Sequence, residues 1–393
     1  MRIVNRIKYI LWNHGLIFLL LFFNIIPLYT ALAIKPILID YNGNITPAIL
    51  YQSMALLGIF AGYVLNPIKP SQKRRIQVRV DKSFFYFLIS LSFFGVFIAY
   101  KNISMFTSIG DLQSMLVEGD DISGLRAETG DGGIGGIFKM FGTVPLFTFL
   151  ASSSLLLFFD YSKRTKKILV ATLVVSLLFT LIKVMLVFDR LSVLAILIVF
   201  VYTFFFNSSF PKIFKIGVIS LLLMLVSFLT LIRMSDIGLG EFLGTYFNLG
   251  VYNLELSIEH QQHFNYDFSQ TFLAPLYFVF KFFGIPYHSY VAEQWVWNPA
   301  QSFWGFFFID FNWFGLLLMP LIGVGIKKIE TAKFSNKFWA MMYFVFAYTM
   351  FSLVTIPAFR GPEFMLMLFV AYISARRFVK IAVPVIHNSK VTK

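Results

Sequence analysis

Hydropathy and charge alternate along this chain in one rhythm: long apolar stretches are separated by segments that are by turns rich in Lys and Arg and rich in Asp and Glu. Of the 33 basic residues, 24 fall in six short segments. These are the N-terminus (Arg2, Arg6, Lys8), 66–83, 160–167, 207–215, 327–337 and the C-terminal tail from Arg376 onward. Together they hold only three of the 19 acids, Asp81, Asp160 and Glu330. Lys and Arg hold short loops on the cytoplasmic side of a membrane, so the basic set is expected inside and the acidic set outside.

A helix needs about 20 apolar residues to cross the hydrocarbon core. Ten stretches qualify, near 13–34, 48–66, 84–100, 138–159, 168–187, 191–206, 216–232, 303–326, 338–357 and 362–378. An even count puts both termini on the cytoplasmic side. The expected fold class is therefore all-α, a polytopic integral membrane protein of about ten transmembrane helices forming one membrane domain over 1–393. With 58% hydrophobic and 13% charged residues, the composition excludes a soluble fold and leaves no soluble catalytic domain. The net charge of +14 then belongs to anchoring at the inner surface, not to nucleic acid. Without cysteine there is no disulfide, thiolate nucleophile or cysteine metal site. Ala31-Leu32-Ala33 looks like a signal-peptidase site, but the apolar stretch before it is long for a signal, and the first span reads as an uncleaved anchor.

Residues 168–206 are interrupted only by Asp189-Arg190, which predicts two short helices joined by a tight outer turn. Segment 271–287 is apolar, yet a crossing there would carry the 327–337 lysines outside. A re-entrant or interfacial helix fits better, within a large outer loop over 233–302. The other long outer loop, 101–137, is acidic, and Gly130, Gly132 and Gly135 in it spell GxGxxG. With no strand before it and no βαβ unit around it, this run is a flexible hinge and not a nucleotide site.

Arginine grips phosphate through a planar fork of donors and stays charged when partly desolvated. Arg190, Arg233 and Arg360 each fall at an outer helix end, against the positive-inside trend, and Arg126 lies in the acidic loop. They are the candidate anion-binding residues. Lys183 lies inside the fifth span, roughly 10 Å below Arg190 at about 1.5 Å per residue, where pairing with a nearby carboxylate or snorkelling outward is expected. His260, His263, His288, Glu293 and Asp189 are the unranked candidates for a general base. Asp189 also has a structural reading, as the group that holds Arg190. Trp295, Trp297 and Trp304 cluster near the eighth span with Asn298, Gln301 and Asp310. They suit an interfacial belt, and they also suit stacking on sugar rings. His260 and His263 lack further ligands at metal spacing, and no metal or other cofactor is expected.

The layout, the Phe188-Asp189-Arg190-Leu191-Ser192 turn, Arg233 followed by Gly244, and the Asn298…Asp310-Phe-Asn-Trp-Phe-Gly315 stretch together resemble the oligosaccharide repeat unit polymerases, the Wzy or O-antigen polymerase family. The resemblance covers the whole chain. It implies an inverting, metal-independent glycosyltransferase of GT-C type at the outer leaflet of the bacterial inner membrane. Its donor and acceptor would be oligosaccharides linked to undecaprenyl diphosphate, with a chain-length regulator as partner. In that reading Arg190, Arg233 and Arg360, with Arg126, bind the diphosphates. The alternatives are an O-antigen ligase, with the same leaving group, and a flippase or other secondary transporter of lipid-linked oligosaccharide. Charge concentrated in the outer loops favours surface chemistry over passage.

Overall fold

The computed structural model describes residues 2–33, 44–67, 76–105, 136–187, 189–206, 211–231, 239–263, 271, 273–276, 283–284, 302–353 and 358–381. Nearly all of these are helical. Helices α1 (Arg2–Ala33), α2 (Thr46–Leu65) and α3 (Lys82–Ser104) are followed by a 3-10 turn over Gly136–Thr143 that runs into α4 (Val144–Phe158). Then come α5 (Lys163–Val187), α6 (Arg190–Phe206), α7 (Lys212–Leu231) and α8 (Leu239–Glu259). The chain ends with α9 (Phe303–Phe311), α10 (Met319–Ala332), α11 (Lys337–Ser352) and α12 (Pro362–Arg377). Seven helical segments among the described residues are long and apolar enough to cross a membrane. Their outer surfaces are apolar, with Phe18, Phe93, Leu178, Leu221 and Met224 all exposed. A helical bundle that turns such side chains outward is solvated by lipid. The chain is an all-α polytopic membrane protein.

Three strands absent from the sequence reading form a small sheet: β1 (Gln77–Val80), β2 (Asp160–Tyr161) and β3 (Val379–Ile381), in the order β2-β1-β3. β1 runs parallel to β2, with Gln77 opposite Asp160, and antiparallel to β3, with Arg79 opposite Lys380. The sheet draws three of the six basic segments to one end of the bundle. Lys337 joins a fourth by donating to the Val379 carbonyl. Lys333 reaches the Trp12 carbonyl at 2.7 Å, and Tyr202, near the end of α6, donates to the Leu11 carbonyl at 2.8 Å. Lys215 of α7 bonds the Phe204 carbonyl at 3.0 Å. The basic segments that the sequence alternation groups together thus share one end, which is called the basic end below.

That end is closed around a break in α1. His14 has non-helical angles (φ −136°, ψ 30°), so the turn around it is opened. In an unbroken helix the Trp12 carbonyl would accept from the Leu16 N–H. Here Lys333 occupies the carbonyl and Glu330 accepts from the N–H, and the two side chains pair with each other at 2.6 Å with no solvent exposure. The ion pair replaces one backbone hydrogen bond of α1. Counted with the cytoplasmic surface charges by sequence, Lys333 is instead a core residue, its ammonium 4.1 Å from the centre of the Tyr343 ring. Gly15 permits this packing, because a Cβ there would lie 2.5 Å from the Tyr343 hydroxyl.

The eighth expected span is not one helix. α9 ends at Asn312, whose φ of 51° is the only positive value on a non-glycine residue among those described, and a 3-10 turn over Asn312–Leu318 leads into α10. α10 packs most closely against α2, where Gly62 and Gly323 let the two backbones touch. α8, from the loop expected outside, lies against the outer ends of α1, α2 and α9. Asn248 bonds Thr30, and the Ser302 hydroxyl donates to the Gly250 carbonyl at 3.1 Å.

Candidate functional site

At the end opposite the sheet, α5 and α6 meet in the tight turn that the sequence predicts. Asp189 makes the turn work as a helix start: its Oδ1 accepts from the Ser192 N–H at 3.2 Å, and its Oδ2 accepts from the Ser192 hydroxyl at 2.6 Å. An Asp bonded to the third helical N–H satisfies a donor left over at the helix N-terminus. Lys183, one and a half turns back on α5, donates to the same Oδ2. The expected pairing of the intramembrane ammonium with a nearby carboxylate is therefore met by Asp189. With three donors on its oxygens, including an ammonium, this carboxylate is an anchor and a poor base.

Asp189 and Ser192 form one wall of a cavity of about 230 Å3. The other walls come from Thr143 at the start of α4, Tyr348 and Thr349 near the end of α11, and Gly361 and Glu363 at the start of α12. Leu146, Leu191, Val345, Phe364 and Met367 complete the lining with apolar surface. Two of the candidate arginines adjoin lining residues in sequence without lining the cavity themselves. Arg190 is the first residue of α6, between the lining residues Asp189 and Leu191. Arg360 closes a 3-10 turn over Ala358–Arg360, one residue before the lining residue Gly361. Its guanidinium lies 3.2 Å from the centre of the Phe306 ring of α9, a flat stack that fixes the plane of its donors. Residues 170 positions apart in sequence thus each flank a lining residue of one outer-end cavity, Arg190 at the start of α6 and Arg360 just before α12. Those helix N-termini add their own positive partial charge there.

Three of the four hydroxyls of the wall share a pattern. Thr143 donates to the Met140 carbonyl at 2.8 Å, Thr349 to the Val345 carbonyl at 2.9 Å, and Ser192 to Asp189. Each has spent its proton on the protein and keeps lone pairs. With the Glu363 carboxylate added and no Lys or Arg in the lining itself, these groups offer the cavity more acceptors than donors. It suits a group that brings its own O–H or N–H bonds.

The remaining expected residues divide into three sets. Arg126, Arg233, His288, Glu293, Trp295, Trp297, Asn298 and Gln301 lie outside the described residues, and His263 is placed by its backbone alone, in a 3-10 turn over Gln261–His263. His260 lies at the end of α8, its ring 2.9 Å from the Leu256 carbonyl one turn back, away from the cavity lining. Trp304 and Asp310 are buried. The Trp304 indole N–H donates to Asn24 at 2.9 Å, and the Asp310 carboxylate accepts from the Thr271 N–H at 2.6 Å. Both bind α9 to its neighbours and present no face to a ligand, in contrast to the expected sugar contact.

Two carboxylates escaped the sequence reading. Glu255 of α8 is buried and accepts from the Ala48 N–H at 2.8 Å, supplying the side-chain cap that the N-terminus of α2 lacks locally. Burial raises its pKa, and the Ala48 bond opposes that shift. Glu363 lines the cavity. Its only sequence signal is an acid in the first turn of a helix that begins with Pro362. Among the described residues no three His, Asp or Glu side chains converge as metal ligands. Comparison with protein-family models, with curated proteins and with solved structures yields no match.

Proposed function

We propose that the protein is an oligosaccharide repeat unit polymerase of the bacterial inner membrane. It joins lipid-diphosphate-linked repeats at the outer leaflet during synthesis of O-antigen, capsule or a related surface polysaccharide. All ten apolar stretches cross in this reading, including the shorter α6, α11 and α12, and the basic end with both termini faces the cytoplasm. The observation that supports the proposal is that Arg190 and Arg360 each stand next in sequence to lining residues of one outer-end cavity.

Nucleotide sugars are absent outside the membrane, so the activated donor is a glycan on a polyprenyl diphosphate. Cleaving its sugar–phosphate bond puts charge on the leaving diphosphate. Preorganised arginines stabilise that charge where no metal is recruited. Arg190 and Arg360 take this role, joined by Arg233 and Arg126 from the outer loops. The growing chain then passes as a block to the sugar end of the next lipid-linked repeat. Alanine at Arg190 or Arg360 is expected to lower polymer yield on the order of 10²- to 10³-fold at unchanged protein abundance, the usual cost of losing one such donor. A full-length polymer ladder from both variants would remove the arginines from the mechanism.

A further inference from the structure

Resting on the polymerase reading, we infer that the outer-end cavity holds the terminal sugar of the acceptor, and that Glu363 is the general base that deprotonates its attacking hydroxyl. Two independent features lead here. The first is the polarity of the wall. A diphosphate carries only acceptors at neutral pH, and a wall with the Glu363 carboxylate and three hydroxyls whose protons are already spent disfavours it. A sugar ring supplies several O–H donors for those acceptors and C–H faces for the apolar part of the lining. At about 230 Å3 the space is below the roughly 300–1,000 Å3 that encloses a drug-sized ligand, so it takes one terminal residue of a glycan and not a whole repeat. Anion and hydroxyl therefore sort by position, diphosphate to the arginines and acceptor to the interior.

The second feature is the difference between the two lining carboxylates. Asp189 is bonded by Lys183, the Ser192 hydroxyl and the Ser192 N–H. Glu363 has no hydrogen bond or ion pair among the described residues, and it is half-buried on the opposite wall. A base must offer a free lone pair within reach of the proton it removes. Of the acids and histidines placed in this structure, Glu363 alone combines a free carboxylate with the cavity.

The step balances as a single displacement. The acceptor oxygen forms a bond to the anomeric carbon of the donor glycan as its proton moves to Glu363. The bond from that carbon to the diphosphate oxygen breaks, and its electron pair leaves with the polyprenyl diphosphate, held by Arg190 and Arg360. Glu363 then returns the proton to water.

The test uses the full-length chain in a strain deleted for it. The strain is complemented with wild type, Glu363→Gln or Glu363→Asp, and polymer yield is expressed per molecule of membrane protein. Gln keeps size and shape but cannot take a proton; Asp keeps the base but draws it back by one methylene. The expected order is wild type, then Asp, then Gln, with Gln reduced by about 10²- to 10⁴-fold. A Gln variant that equals or exceeds Asp would overturn the assignment of Glu363 while leaving the polymerase reading intact. A ladder that survives deletion of the gene would overturn the reading itself, and this inference with it.

Discussion

At the basic end, the buried acid is matched atom for atom: Glu330 holds Lys333 and the Leu16 N–H, and Lys333 also holds the Trp12 carbonyl. At the outer end, Asp189 is matched in the same manner, but Glu363 lines a cavity and its carboxylate has no hydrogen bond or ion pair among the described residues. Both ends carry charge at the margin of the bilayer, where leaving it unsatisfied is costly. The basic end uses its charges to lock α1, α10 and α11 together. The outer end keeps a cavity lined in part by acceptors, with Glu363 unpaired among the described residues. The difference separates polar groups paired within the packing from a polar group left at the edge of a cavity.

The comparison can be broken hardest at the basic end. Glu330→Ala leaves a buried ammonium and an open backbone N–H, and is expected to destabilise the protein by about 3–5 kcal/mol, read as loss of folded protein from the membrane. The double variant Glu330→Ala/Lys333→Ala should lose less than the two single losses added together, because the two groups act as one unit. Normal abundance of Glu330→Ala would mean that the pair does not hold the closed end. Next in size is the contact of α2 with α10. A methyl at Gly62 would overlap the Pro320 carbonyl, so Gly62→Ala should cost about 1–3 kcal/mol in thermal stability, with little change in turnover per folded molecule. The smallest effect sharpens the distinction within one end: Asp81 and Lys380 pair at 3.6 Å with exposed side chains. Asp81→Asn is expected to change stability by less than about 1 kcal/mol; a loss approaching that of Glu330→Ala would erase the contrast between buried and exposed pairs.

Much of this architecture was legible in the sequence because it is written in segment averages. Hydropathy over 20 residues locates a helix wherever its neighbours lie, and the Lys and Arg distribution sorts loops by side. The Asp189-Arg190 turn and its partner Lys183 were within reach for the same reason: six residues separate the charges, and a tight turn brings them together. What was not legible depends on convergence. β1 pairs with β3 across some 300 residues, and four residues of alternating polarity carry no sign of that partner. Lys333 and Lys328 look alike in a basic segment, yet the fold buries the first and leaves the second exposed. Trp304 and Asp310 were placed with a sugar-binding group by composition, and which side of α9 meets solvent is a tertiary fact; all of Phe303–Asp310 is buried. Glu363 was indistinguishable from other outer acids until the start of α12 was set against α6. Arg190 and Arg360 were singled out separately, and only the fold brings their chain neighbours Leu191 and Gly361 into the lining of one cavity.

The most direct measurement is a gel of surface polysaccharide from a clean deletion strain, read beside its pool of lipid-linked intermediates and beside the complemented strain. The account predicts a ladder collapsed to single repeats, with repeat units still reaching the cell surface and a full ladder restored by the wild-type gene. An unchanged ladder would contradict it outright. Loss of every surface repeat would contradict it in favour of a ligase if long chains remain on the lipid carrier, or of a flippase if they do not.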